Sequence, residues 1–206
     1  MSATKVLAAL MLVTVLSFTA FAQTKNELAG TIGRTFIADQ GVPATGENIH
    51  AGNGTTFEID YARHILGNGG FLQLSIEVPA VFNLDEDLNY KFNEVPESYK
   101  SYFITPGARL NLFADTAVSP WVSFGGGFGH FSESSTLVFG GPNPGSTGTT
   151  TGVFQFGAGL DVRLWRSLGL RGELRDFDSG VPQLNVDTGK SRQHNIYVGG
   201  GVVWHF

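Results

Sequence analysis

The sequence predicts an all-β protein, an eight-stranded antiparallel up-and-down transmembrane β-barrel with short turns at one end and long loops at the other. Three observations predict it. Apolar residues recur with a period of two in eight separate segments, the mark of strands whose two faces meet different environments. The connections between these segments alternate between long and short, as a membrane barrel requires. The 206-residue chain is also rich in glycine (28 residues) and in aromatic residues (12%), yet its mean hydropathy is only +0.04. A barrel has this composition because its apolar outer face is averaged with an alternating polar inner one.

The first segment is not a strand. Met1 to Lys5 carries one positive charge, Val6 to Val15 is almost wholly apolar, and Ala20-x-Ala22 precedes Gln23. This is the pattern of a secretory signal peptide, with cleavage expected between Ala22 and Gln23 because signal peptidase admits only small side chains at the positions held by Ala20 and Ala22. Val6 to Ala22 is short for a membrane helix, which needs about 20 apolar residues. Residues 1–22 are therefore set aside as signal peptide, and residues 23–206 are read as one barrel domain.

Glu27 to Ile37 is the first strand, with Leu28, Ile32 and Phe36 on one face; Arg34 shares that face, so a bulge near Gly33 is expected. Thr55 to Arg63 sets Phe57, Ile59 and Tyr61 against Glu58 and Asp60, and Gly67 to Gly70 forms a tight turn. Phe71 to Val78 sets Leu72, Leu74, Ile76 and Val78 against Gln73, Ser75 and Glu77. Ser101 to Phe113 opposes Ile104, Ala108, Leu110 and Leu112 to Gly107, Arg109 and Asn111. Pro120 to Phe131 opposes Val122, Phe124 and Phe128 to Ser123 and three glycines. Val153 to Leu164 alternates Phe154, Phe156, Ala158, Leu160 and Val162 with Gln155, Gly157, Gly159, Asp161 and Arg163. After a turn at Trp165 to Ser167, Leu168, Leu170 and Leu174 oppose Arg171, Glu173 and Arg175. The eighth strand, Gln193 to Phe206, has His194, Ile196, Val198, Val202, Trp204 and Phe206 on one face, and Asn195, Tyr197, Val203 and His205 on the other.

The long connections run from Ala38 to Gly54, Pro79 to Lys100, Ser132 to Gly152 and Asp176 to Arg192. A soluble sandwich has no reason to sort its loops this way. Strands of about ten residues at about 3.3 Å each, tilted near 40°, cross the roughly 25 Å apolar band of an outer membrane.

Strand parity points Glu27, Glu58, Asp60, Glu77, Asp161 and Glu173 into the lumen, with Arg109, Arg163, Arg171 and Arg175. Charges of both signs in a narrow, dry interior are far costlier alone than paired. If the turn at Trp165 to Ser167 pairs Leu164 with Leu168, Asp161 falls opposite Arg171. A side-chain network that plugs and stiffens the barrel is the expected outcome, since eight strands leave an interior just wide enough for side chains to fill.

Other chemistry is poorly supported. The chain has no cysteine, hence no disulfide, thiolate metal site or cysteine nucleophile. A net charge of −5 argues against nucleic-acid binding. His50, His64, His194 and His205 lack ligand spacing and are expected as polar residues of loops and strand ends, with no metal and no cofactor. Gly125 to Gly127 and Gly199 to Gly201 open no helix, so they make room in the barrel rather than cradle phosphate. Asp85-Glu86-Asp87 reads as a solvated acidic patch, and Gly140 to Gly152 as an outer loop.

The closing strand, with its terminal Phe206, resembles that of bacterial outer-membrane barrels. Phe103-Ile104-Thr105-Pro106-Gly107, Pro120-Trp121-Val122-Ser123-Phe124-Gly125-Gly126-Gly127 and Gly157 to Arg175 followed by Asp176-Phe177 resemble the OmpA-type, porin-like outer-membrane β-barrel family. The resemblance implies an integral outer-membrane location among lipids and lipopolysaccharide, and handling by periplasmic chaperones and the barrel assembly machinery. It implies that Tyr197, Trp204 and Phe206 belong to the assembly signal, and that the periplasmic domain of some relatives is missing. It implies a structural or adhesive role carried by the outer loops rather than enzymatic activity, with a narrow porin-like channel as the alternative. His130-Phe131-Ser132 is similar to the His-x-Ser pair of the lipid A deacylases, which implies a weaker esterase alternative.

Overall fold

The computed structural model describes residues 25–67 and 70–206; Ala20, Ala22 and Gln23, where signal cleavage is expected, lie outside them. Among the described residues there is no helix. The strands are β1 (Asn26–Ile37), β2 (Gln40–Val42), β3 (Glu47–Ala51), β4 (Asn53–Leu66), β5 (Leu72–Asn89), β6 (Ser98–Ile104), β7 (Gly107–Leu112), β8 (Val118–Glu133), β9 (Thr149–Arg163), β10 (Leu168–Gly180) and β11 (Arg192–His205).

All ladders are antiparallel. They run β1 to β4 to β5, then to β6 and β7, then to β8, β9, β10 and β11, and β11 pairs back onto β1. Because β6 and β7 share one place in this ring, it has eight positions. Strands β2 and β3 form a hairpin inside the first long connection. The seam continues to the last residue: Phe206 N donates to Asn26 O at 2.9 Å, and Asn26 N to Phe206 O at 3.0 Å.

The split between β6 and β7 has a covalent cause. β5 faces β6 from the Ala80–Ile104 pair onward and faces β7 up to the Glu77–Gly107 pair. Between them lie Pro79 and Pro106, neither of which has an N–H to give to a ladder. Alternation alone predicts a strand end at Val78 and a loop from Pro79. The strand instead runs through Pro79 to Asn89, because the missing donor falls where that ladder is already interrupted.

Burial alternates along every ring strand. Leu28, Ile32, Ile59, Ile76, Phe124, Phe156, Leu174 and Val202 are among the outward residues left exposed and form an apolar belt. Strands continue past this belt at the long-loop end, so Thr149–Gly152 and Asp176–Gly180, expected as loop, are strand. There the outward face has left the lipid and turned polar, so the apolar alternation in the sequence fades although backbone pairing persists. At the same end an apolar core fills the interior. Phe103 stacks on Phe177 with centroids 5.1 Å apart, and Phe131 and Tyr99 pack edge-on behind them. Val42, Ile49, Leu88, Tyr90, Val95 and Leu184 carry this core up into the loops.

Candidate functional site

Below the aromatic layer the interior is polar, and it is organised around Trp121 of β8. The indole is buried, and the guanidinium groups of Arg109, Arg171 and Arg175 lie 5.6, 5.2 and 5.0 Å from its ring. Cations gather over an aromatic ring because its face is electron-rich. Gly159 lies opposite Trp121 in the ladder, and a Cβ there would overlap the ring. The indole N–H donates to Asp161 Oδ1 at 3.2 Å.

Carboxylates surround the three arginines. Arg171 holds both oxygens of Asp161, through Nε at 2.8 Å and Nη2 at 2.8 Å. Arg175 meets Glu77 at 2.8 Å, Glu58 at 3.0 Å and Glu173 at 3.2 Å. Arg109 donates to Glu27, which also accepts from Arg171 on the same oxygen. Asp60 Oδ2 sits at the hub, 3.3 Å from Arg109, 3.1 Å from Arg171 and 3.5 Å from Arg175. Six carboxylates (Glu27, Glu58, Asp60, Glu77, Asp161, Glu173) thus face three guanidinium groups, and the interior is formally negative.

Arg163 is not in the network. It is exposed at the short-turn end, and its Nη2 donates to Ala114 O at 2.8 Å. Parity places it on the inner face, but at the rim its long stem reaches along the wall to water. Tyr197 points inward and is buried; its hydroxyl pairs with Thr31 Oγ1 at 2.7 Å, and Thr31 donates to Glu173 at 2.7 Å. Trp204 stacks on Phe206 at the rim, with centroids 4.7 Å apart.

At the short-turn end the lumen widens into a cavity of about 360 Å³, lined by Glu27, His64, Asn111, Asp161 and His205 among others. Glu27 Oε2, the oxygen not taken by the arginines, is 4.0 Å from His64 Nε2 and 3.8 Å from His205 Nδ1. His64 Nδ1 is tied to Ser75 Oγ at 2.8 Å. His64 and His205 were expected as unconnected strand-end residues. The ladders of β1 with β4 and with β11 bring them to one point.

The remaining candidates stay apart. His130 packs on Tyr102 and pairs through Nδ1 with Thr150 Oγ1 at 2.8 Å, while Ser132 faces outward. Glu133 faces inward and accepts from Gln183 N at 2.8 Å, so it does not orient the imidazole. Asp85-Glu86-Asp87 is not a uniform solvated patch. Asp85 and Asp87 are exposed, but Glu86 is buried, its Oε2 accepting from Asn83 at 2.9 Å and from Gly54 N at 3.2 Å. A bulge between Asn83 and Glu86 turns it inward.

No protein-family model and no curated protein matches this chain. Among solved structures, the outer membrane protein OprG from Pseudomonas aeruginosa superposes with a TM-score of 0.54 at 9% identity, over 88% of this chain and 96% of that one. Neisserial surface protein A (NspA) superposes with a TM-score of 0.52 at 14% identity, over 88% and 97%. The fold is that of the small outer-membrane β-barrels. At these identities the likeness is one of fold, and what the barrel does must be argued from its own residues.

Proposed function

We propose that this protein is an integral barrel of the bacterial outer membrane that conducts no ions and acts through its outer loops. In this reading the signal peptide is removed after Ala22. The barrel is carried across the periplasm by chaperones, inserted by the barrel assembly machinery, and seated among lipids and lipopolysaccharide. The belt of outward apolar residues supports the membrane setting.

One observation carries the functional reading: the interior is closed twice. The Arg–carboxylate network around Trp121 closes the interior above the cavity at the short-turn mouth, and the Phe103–Phe177–Phe131 layer, continuous with the loop core, closes it at the long-loop end. A pore needs a continuous wet path, and stacked aromatic rings break it. A barrel closed in this way presents its loops on a stiff support, which suits a structural or adhesive role at the cell surface. Planar-bilayer recording of the purified barrel tests this. A flat baseline is expected, and stable, stepwise conductance would favour the channel.

A further inference from the structure

From the positions of Glu27, His64 and His205 we infer that the short-turn mouth binds a divalent transition-metal ion of the zinc type, bridging the first and last strands. One donor atom from each of the three residues lies within 4.8 Å of the others. Tetrahedral zinc with bonds of about 2.0–2.2 Å holds its ligand atoms about 3.4 Å apart. The 3.8 and 4.0 Å separations from Glu27 Oε2 therefore need only small side-chain rotations to close. Two imidazoles and one carboxylate, with a cavity of about 360 Å³ beside them for a water, form a three-ligand site with one open position.

Two further features fit an ion. His64 has its second nitrogen tied to the buried Ser75 hydroxyl, the kind of partner that fixes ring orientation in metal-bound histidines. Glu27 is split: Arg109 and Arg171 occupy Oε1, which leaves Oε2 facing the imidazoles. Glu27 pairs directly with His205 across the closing ladder, and His64 N donates to Lys25 O at 2.8 Å, two residues before Glu27. The three ligands therefore come from β4, β1 and β11, and an ion among them cross-links the seam.

Calorimetric titration of zinc into the untagged, folded barrel in detergent micelles tests the site. One ion per barrel is expected, together with a rise in the temperature at which the protein loses its compact gel mobility, reversed by a chelator. The His64→Gln/His205→Gln double variant should bind more than about 100-fold more weakly, beyond the loss of an outer partner such as Ser75. Equal affinity in the double variant, no stoichiometric binding in the native protein, or binding without the thermal shift overturns the proposal. Should the variant fail to fold, cobalt bound to the native barrel decides. A ligand-field spectrum of tetrahedral imidazole coordination supports the site, and one of six oxygen donors overturns it.

Discussion

Arg171 grips both carboxylate oxygens of Asp161 at 2.8 Å across the β9–β10 ladder, where the two residues are register partners. The pair is not symmetrical. Asp161 has Arg171 and the Trp121 indole, whereas Arg171 also serves Asp60 and Glu27. Arg171→Ala leaves Asp161 with the Trp121 indole alone and removes one guanidinium partner from each of Asp60 and Glu27, which keep Arg109, and should cost roughly 3–5 kcal/mol. Asp161→Ala leaves Arg171 with two partners and should cost less, roughly 1.5–3 kcal/mol. The double variant should lose less than the two single losses added together. Reversible urea unfolding in lipid vesicles gives all three values, and additive losses would show that the residues do not act as a unit.

Trp121 and Gly159 are likewise matched. A methyl group at Gly159 overlaps the indole ring, so Gly159→Ala must push Trp121 off its three arginines. A destabilisation of roughly 1–3 kcal/mol is expected, the range for overpacking. The smaller ring of Trp121→Phe should restore part of it in the double variant. The emission of Trp121 should also shift in Gly159→Ala, measured with Trp165 and Trp204 replaced. An unchanged spectrum and stability would mean that the ring does not lie against Gly159.

The ring of strands was legible in the sequence because a sheet with lipid on one side writes its period of two directly into Phe154-Gln155-Phe156-Gly157. Inward parity was legible too, and it picked out the residues of the charge network. Three things were not. Pro79 reads as a stop, and only its neighbour Pro106 across the ladder explains why the strand passes through it. Trp121 reads as one more inward residue, because parity does not distinguish a filler from a platform for three arginines. His64 and His205 lie far apart in the chain, and local spacing cannot report two strands that meet only through β1. Arg163 shows the opposite limit, since parity gives the direction of a Cβ and not where a long side chain ends.

Glu86 should make the loop end sensitive to pH. It lies past Leu84, the last outward apolar residue of β5, between exposed Asp85 and Asp87, and so stands outside the membrane. Burial is the main cause that raises its pKa from the ordinary 4.5 to about 7; Asp85 and Asp87 add to the rise, and the bonds from Asn83 and Gly54 oppose it. Between these two values the folded protein keeps a proton that the opened segment has lost. Stability from this group is therefore full below about pH 4.5, falls as pH rises to about 7, and is level above. Hydrogen exchange at the Gly54 amide, normalised for intrinsic rate, should show more opening at pH 7 than at pH 5. Glu86→Gln should flatten that profile, and a carboxyl titration midpoint near 4.5 would refute it.

Removal of Phe206 separates folding from assembly. Its two backbone bonds to Asn26 lie at the rim, where water replaces them at little cost, and the lost stack on Trp204 is also at the surface. The truncated barrel should therefore refold in detergent with nearly normal yield and nearly normal resistance to heat on gels. In cells its level in the outer-membrane fraction should still fall sharply, with degradation products in the periplasm, if the terminal aromatic is read as a signal before the seam closes. Equal losses in the test tube and in the cell would assign Phe206 a purely structural part. Normal levels in both would remove it from the assembly signal and leave Tyr197, already committed to Thr31 inside the barrel, and Trp204 as the residues to test.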